Sequence, residues 1–377
     1  MNSKRAKPRI VFTVSNDLAT DQRMERICST LAENGFDVTL IGRLNKNSLN
    51  IENKQFKQIR LKCLFKNGFG FYAFLNLRLF LKLLFTKYDI VCGIDLDTIL
   101  PCIMVAKLKR KKVYYDAHEY FTESEEIAHR PKLKAFWTWV EQFAFKRVDK
   151  IYTVTSSIAD LYKEKYLREV EVVRNFPYYI PAKNESKGKY LLYQGALNKG
   201  RGLEKLLVAM VQINTPLYLA GEGDIKEQLM VIAKHLRIEK KVHFLGNINP
   251  LKLKEITHNA LIGINLLDIN SSISYQYSLG NKTMDYIQAE LPSICIDFVE
   301  YRQIAEQYQT ALLIHTMETQ EIVSAINDLI NNPFNYNLLR TNCQMAKKEL
   351  CWEMEKDRLL EIYGVGNGLD KIKNNVV

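Results

Sequence analysis

The sequence predicts an α/β protein made of two Rossmann-like domains, each a parallel sheet covered on both faces by helices, facing each other across a cleft. Three observations carry this. Short β-rich apolar runs alternate with helical runs along the 377-residue chain, the pattern of parallel sheets. At roughly 150 residues per domain, that length suggests about two domains. The alternation breaks once, at a polar stretch holding Pro177 and Pro181, which reads as a linker. The expected division is therefore 1–176, a linker at 177–189, a second domain at 190–350, and a last helical segment at 351–377 packing back on the first domain.

Residues 9–15 are β-rich and open the first domain. A helix is expected over 21–35, because Met24, Ile27, Cys28 and Leu31 fall on one face, with Thr20 able to cap it and Gly35 able to end it. Strands follow at 38–41 and 58–64, and a long, mostly apolar helix at 71–86 carries Arg78 and Lys82. Residues 89–93 and 112–116 read as buried strands with a helix between them. A helix at 131–147 and a strand at 150–155 complete the round, which closes near 170–174. The second round has strands at 190–195, 216–221, 242–246, 261–267, 293–297 and 312–314. Its helices are expected at 203–211, 224–235, 251–258 and 279–289, followed by a helical tail from 318 to about 363.

Composition narrows the class. Apolar residues are 47% and charged residues 25%, and the 17 glycines and nine prolines are too few for a low-complexity or collagenous chain. No run of about 18 uncharged apolar residues occurs, so no membrane-spanning helix is expected. The basic start lacks the apolar core of an export signal. Seven cysteines without a Cys-x-x-Cys pair read as reduced, buried thiols of a cytoplasmic protein. The net charge of +11 is confined to one half: residues 1–180 hold 31 basic and 20 acidic side chains, and the remainder holds 22 of each. That asymmetry suggests a first domain that meets an anionic surface, set against the plainer reading of a solvated basic face.

Four strand ends carry candidate chemistry. After the first strand, Asn16 and Asp17 lie in a small polar loop able to offer backbone N–H groups to an anion. Arg23 follows in the first turn of a helix, where the dipole disfavours a cation, so an anionic partner is expected; an ordinary loop with solvated arginines is the alternative. Asp116, His118 and Glu119 cluster at the end of a buried strand. There an imidazole could bond a sugar hydroxyl or move a proton, or be a structural histidine. No second His or Cys stands at ligand spacing, so no metal is expected. The loop 195–203 is glycine-rich and cationic through Lys199 and Arg201 and opens a helix, as suits a diphosphate, or it is a surface turn. Ser278 can cap a helix whose first turn includes Gly280, Asn281 and Lys282, with Asp285 placed to take two vicinal ribose hydroxyls, or this is a capped core helix. Gly221-Glu222-Gly223 follows a strand and reads first as a turn, with Gly221 a further donor-site candidate.

In their order these stretches resemble the family 4 glycosyltransferases, retaining enzymes of the two-domain GT-B fold, over nearly the whole length. The resemblance rests on 14–26 with 38–42, on Asp116–Glu119 as an Asp-x-His-Glu stretch, and on Val172-Val173-Arg174-Asn175. It continues through 195–203, 220–223, 242–246 and 282–292, and is similar to bacterial surface-polysaccharide members. The resemblance implies that His118 contacts the transferred sugar, with Asp116 and Glu119 beside it. It implies that Arg201 binds the donor diphosphate, that Ser278–Lys282 holds the distal phosphate, and that Asp285 takes the nucleotide ribose. Three positions depart from the pattern. Ala196 stands where many members carry a phosphate-binding arginine, Tyr277 where a sugar-binding glutamate is expected, and Glu290 where glycine is common.

The resemblance further implies a UDP- or GDP-type nucleotide sugar as substrate, no cofactor, and no metal, because cations and helix N–H groups neutralise the leaving diphosphate. It implies a glycan or lipid-linked acceptor bound by the basic first domain on the side of Asn16, Asp17 and Arg23. A cytoplasmic location with peripheral contact to an anionic membrane follows, residues 69–87 with Lys62 and Lys66 being the membrane-facing candidate and a core helix the alternative. A nucleotide-sugar epimerase of the same fold, or a non-catalytic nucleotide-sugar-binding relative, are the other readings. No compact nucleic-acid motif occurs, so nucleic acid is not an expected partner.

Overall fold

In a computed structural model the chain forms two compact units, Met1–Asn175 with Glu355–Val377, and Phe176–Met354. Residues 7–19, 21–45, 48, 50–65, 68–182 and 188–365 are described. The expected cap Thr20, the cation Lys66, part of the expected linker (183–187) and the end of the last segment (366–377) lie outside them.

The first unit is built on seven strands: β1 (Arg9–Asp17), β2 (Asp37–Leu44), β3 (Lys57–Lys62), β4 (Ile90–Ile94), β5 (Lys112–Ala117), β6 (Lys150–Thr153) and β7 (Glu171–Val172). All pair in parallel, in the order β3-β2-β1-β4-β5-β6-β7. The central strands are apolar on both faces because helices cover both; Ile10, Val11, Phe12, Val91 and Cys92 are essentially inaccessible. The order reverses between β1 and β4, and in such sheets ligands bind beyond the carboxyl ends of the strands at that reversal. Helix Gln22–Glu33 is capped by Asp21, whose side chain accepts the Met24 N–H at 3.0 Å. The chain re-enters this unit within helix Trp352–Ile362, and the Tyr363 ring then packs tilted or edge-on against Phe12, Phe36, Tyr114 and Tyr152.

The second unit holds β8 (Leu191–Gln194), β9 (Leu217–Ala220), β10 (Val242–Gly246), β11 (Ile262–Asn265), β12 (Ser293–Ile296) and β13 (Ala311–Ile314). The order β10-β9-β8-β11-β12-β13 is again all parallel and reverses between β8 and β11. One core of Leu, Ile and Val side chains from these strands packs under helices Leu203–Ala209, Lys226–His235 and Thr319–Asn331.

Several boundaries differ from the sequence reading. β1 runs on through Asn16 and Asp17, with Asp17 in register with Arg43, so the expected anion loop is partly strand. Helices Ser156–Tyr166 and Val299–Tyr308 were not expected. The helical tail is three helices, Thr319–Asn331, Pro333–Ala346 and Trp352–Ile362; Pro333 starts the second, as its fixed φ and missing N–H favour. The end of the expected first domain and the start of the expected linker are packed inside the second unit: Phe176 is buried with Met284 and Cys343, and Pro177 C=O accepts the Trp352 N–H at 2.8 Å. Of the seven cysteines, all unpaired, Cys63 is half-buried and the rest are buried. Helix Gly68–Phe85 is, by length and composition alone, long and apolar enough to cross a membrane, which the sequence reading excluded.

Candidate active site

In the first unit, chemistry gathers beyond β1, β4 and β5. Asp116 ends a buried strand and is itself inaccessible. Arg23 reaches it from the first turn of helix Gln22–Glu33, with Nη2 2.9 Å from Oδ1. Arg23 also donates from Nη1 to the Val173 carbonyl at 2.8 Å. The anionic partner that Arg23 needed is thus internal. At 4% exposure this arginine is not an acceptor-side residue: it anchors Asp116. The other Asp116 oxygen, Oδ2, lies 3.1 Å from His118 Nε2. Burial opposes the carboxylate charge, yet Arg23 and His118 outweigh it and hold Asp116 below its ordinary value.

His118 is gripped twice. Its backbone N–H donates to Asp95 Oδ1 at 2.8 Å, and Asp95 Oδ2 stands 4.0 Å from Nδ1. Burial works against the imidazolium, but Asp116 and Asp95 raise the pKa above the usual histidine value. Asp95 sits at φ +52°, a left-handed conformation that costs a non-glycine residue roughly 1–2 kcal/mol. Sequence reasoning missed Asp95 and its neighbour Asp97; the Asp-x-Asp directly after a buried strand was the available signal. Burial drives three carboxyls up, Asp95 to about 6, Asp97 to about 7 and Glu119 to about 8, and repulsion adds to it, from Asp116 on Asp95 and from Asp95 on Asp97 and Glu119. Asn16 is exposed at the end of β1, whereas Asp17 is tied to Arg60 at 2.8 Å. The proposed acceptor side therefore keeps Asn16 as its outward-facing member.

In the second unit the loop after β8 is shaped by glycine. Gly195 has φ +129° and Gly221 φ +153°, and a Cβ on Gly221 would stand 1.9 Å from the Gly195 carbonyl oxygen. Gly221 thus lets two strand-end loops touch, a structural role. Lys199 is exposed on that loop. Arg201 lies over the Tyr275 ring at 4.3 Å, and its Nε is buried without a hydrogen-bond partner among the described residues. Lys282, on helix Asn281–Gln288, is 8% exposed. Its ammonium has no hydrogen-bond partner either and lies 4.1 Å from the centre of the Tyr193 ring. Burial, and then Arg201, push the Lys282 pKa well below its usual value. Two neighbouring cations with unfilled donors, one of them buried, form a seat for an anion.

The cap differs from expectation. Gly280 is the N-cap of helix Asn281–Gln288, without a side-chain cap, and its N–H donates to the Tyr301 hydroxyl at 2.9 Å. Ser278 instead donates its hydroxyl to the Tyr275 carbonyl at 2.9 Å, so it closes the preceding turn and does not cap the helix. Asn281 is exposed in the first turn. Asp285 is half-buried and accepts from Gln194 Nε2 at 2.8 Å, and Gln194 accepts in turn from the Thr257 hydroxyl at 2.7 Å. Gln194, Tyr193 and Tyr275 went unrecognised in the sequence, where they resemble ordinary strand and loop residues. Among the described residues no group of three or more His, Cys, Asp or Glu side chains is arranged to hold a metal ion.

Two family models divide the chain as its units do: Glycosyltransferase Family 4 over residues 21–176 and Glycosyl transferases group 1 over 179–350. The chain belongs to the GT-B-fold glycosyltransferases. Among solved structures it is similar to sucrose-phosphate synthase from Thermosynechococcus elongatus, with TM-score 0.78, 16% identity, and 95% of this chain and 98% of that one covered. It is also similar to HepE from Anabaena, solved with UDP and glucose, at TM-score 0.74 and 12% identity over 94% and 98% of the two chains. A curated relative is the N-acetylgalactosamine-N,N'-diacetylbacillosaminyl-diphospho-undecaprenol 4-alpha-N-acetylgalactosaminyltransferase of Campylobacter jejuni, 39% identical over 69 residues. That match covers 18% of this chain and 19% of the relative, so the matched stretch spans about a fifth of the relative's length.

The position Glu290 of this glycosyltransferase now has a physical account. It has φ +56°, the conformation that favours the glycine common there. The glutamate is held by a buried ion pair with Lys347 at 2.6 Å and by Gln344 Nε2 at 2.8 Å. It braces the helix that carries Lys282 and Asp285 against Pro333–Ala346.

Proposed function

We propose that this enzyme transfers a sugar, with retention of anomeric configuration, from a UDP- or GDP-type donor to a glycan or lipid-linked acceptor in cell-surface polysaccharide synthesis. The carrying observation is the pair of Arg201 Nε and the Lys282 ammonium, both buried without a hydrogen-bond partner among the described residues. A donor diphosphate supplies those partners. As the glycosidic bond breaks, charge builds on the leaving phosphate, and fixed cations stabilise it without reorganisation. Lys199 and the helix start at Gly280 and Asn281 assist, and Asp285, oriented by Gln194, takes the ribose hydroxyls. Ala196 leaves the phosphate to Arg201 and Lys282.

His118 contacts the transferred sugar, oriented by Asp116 and by Asp95 through its backbone. Glu119, neutral near pH 7, can donate a hydrogen bond to a sugar oxygen. Retention follows if the acceptor hydroxyl attacks from the face the diphosphate leaves and gives its proton to that diphosphate. Asn16 lies on the acceptor side. A lipid-linked acceptor places the enzyme at the cytoplasmic membrane surface.

The test is incubation with a panel of nucleotide sugars, with and without lipid-linked acceptor. Acceptor-dependent release of nucleoside diphosphate and a product of unchanged anomeric configuration are expected. Conversion of the donor sugar without acceptor, or an inverted product, would overturn the reading.

A further inference from the structure

Two tyrosines meet the cations of the second unit. The Arg201 guanidinium lies 4.3 Å from the centre of the Tyr275 ring, and the Lys282 ammonium 4.1 Å from that of Tyr193. Both distances are within the range, up to about 6 Å, at which the negative face of an aromatic ring attracts a cation. The two cations also act on each other: besides burial, Arg201 opposes the charge on Lys282, and no carboxylate among the described residues supports it. Two long side chains under mutual repulsion, one of them buried, turn away toward water unless the fold holds them.

Each ring is a fixed part of the fold. Tyr193 lies in β8, inaccessible to solvent, and its hydroxyl donates to the Ala196 carbonyl at 2.7 Å, which sets the ring plane. Gly195 borders the Lys282 stem, where a Cβ would stand 3.5 Å from Lys282 Cε. Tyr275 belongs to the short helix Ile273–Gln276, and Ser278 donates to its carbonyl from the backbone N–H at 3.2 Å and from the hydroxyl at 2.9 Å. The Tyr275 ring packs against the core of the unit and beside Gly200, where a Cβ would stand 3.6 Å from Cε2. The Gly200 carbonyl accepts the Asp268 N–H at 2.9 Å, which ties the loop carrying Arg201 to the segment leading to Tyr275. A ring face serves such a cation better than a carboxylate does. A carboxylate would occupy the N–H donors and have to be displaced by phosphate, whereas a ring steadies the charge and leaves the donors for phosphate oxygens.

We propose that Tyr193 and Tyr275 are positioning residues for the nucleoside diphosphate: their ring faces hold the Lys282 ammonium and the Arg201 guanidinium in the seat before the phosphates arrive. This rests on the donor reading above and is tested so that the two fail differently. Calorimetry with UDP and with inorganic pyrophosphate compares the parent with Tyr275→Phe, Tyr275→Leu, Arg201→Leu and the double variant. Tyr275→Phe keeps the ring face and binds like the parent. Tyr275→Leu keeps most of the bulk but releases the guanidinium, and loses about two- to tenfold for both ligands, the cost of ordering one long side chain on binding. In the Arg201→Leu background the same change has no further effect, because the ring then has no cation to hold. Tyr193→Leu, read against Lys282→Met, is the parallel pair, and thermal melts on the same samples show whether this core change disturbs folding; the Tyr275 pair stands independently of it. A Tyr275→Leu variant that binds like the parent, or one whose loss is the same with and without Arg201, would overturn the inference and leave the donor reading standing. A parent with no affinity for either ligand overturns the donor reading itself.

Discussion

Replacing Lys282 by methionine separates binding from folding. Lys282 is 8% exposed and its ammonium has no hydrogen-bond partner among the described residues, so the ligand-free protein offsets its desolvation only through the face of the Tyr193 ring. Methionine keeps the bulk against Tyr193 and removes the charge. Ligand-free stability should therefore hold or rise, because an unpaired buried charge is removed. Affinity for a nucleoside diphosphate should fall, since a charge-assisted hydrogen bond is worth about 1.5–3 kcal/mol, a loss of roughly 10- to 100-fold. The pH dependence carries the same signature. The folded pKa is depressed, so between it and the unfolded lysine value near 10.4 the unfolded chain binds more protons. Stability of the parent should rise with pH across that window, and Lys282→Met should lose this component. Diphosphate binding restores the charge, so proton uptake should accompany it above the depressed pKa. Calorimetric titration of UDP and GDP in buffers of different ionisation enthalpy reads both quantities. Unchanged affinity in Lys282→Met would refute the reasoning.

Asp285→Ala should weaken UDP and GDP binding while leaving inorganic pyrophosphate affinity unchanged, measured by calorimetry, if its carboxylate takes the ribose as proposed. Glu290→Ala should destabilise the second unit by about 3–5 kcal/mol in denaturant melts, since Lys347 is left buried and unpaired. Glu290→Gly should lose about 1 kcal/mol less, because glycine accepts φ +56°. Between the unfolded glutamate value near 4.3 and its folded pKa of about 8, Glu119 binds more protons in the native state. Its contribution to stability should therefore decline as pH rises through that window, and Glu119→Gln should flatten the decline in pH-dependent thermal melts. Asp95→Asn should lower the His118 pKa, read by NMR titration of the ring, and move the pH profile of turnover the same way.

Most of the architecture was legible because β1, β4, β5, β8, β11 and β12 are short apolar runs separated by amphipathic helices, and period and length tell these apart. Helix Ser156–Tyr166 was hidden by its polar composition; its Thr155 cap, accepting the Ile158 N–H at 3.3 Å, was the readable signal. The candidate site was legible where it is local in sequence. Lys199, Arg201, Lys282 and Asp285 stand out by type at strand or helix ends. The contacts between distant residues were not legible. Nothing near Arg23 in the chain announces that its partner is Asp116, 93 positions away, nor that Asp285 is held by Gln194, 91 positions away. Glu290 shows the same limit: the left-handed turn favours glycine, and only the fold brings Lys347 to the carboxylate.

The central claim is that Arg201 and Lys282 together seat a diphosphate. A crystal structure of the chain grown with UDP, and another with GDP, tests it most directly. The account predicts phosphate oxygens within hydrogen-bond distance of Lys282 Nζ and of the Arg201 guanidinium, and the ribose on Asp285. A nucleotide bound elsewhere, with the Lys282 ammonium still facing only the Tyr193 ring, would contradict it.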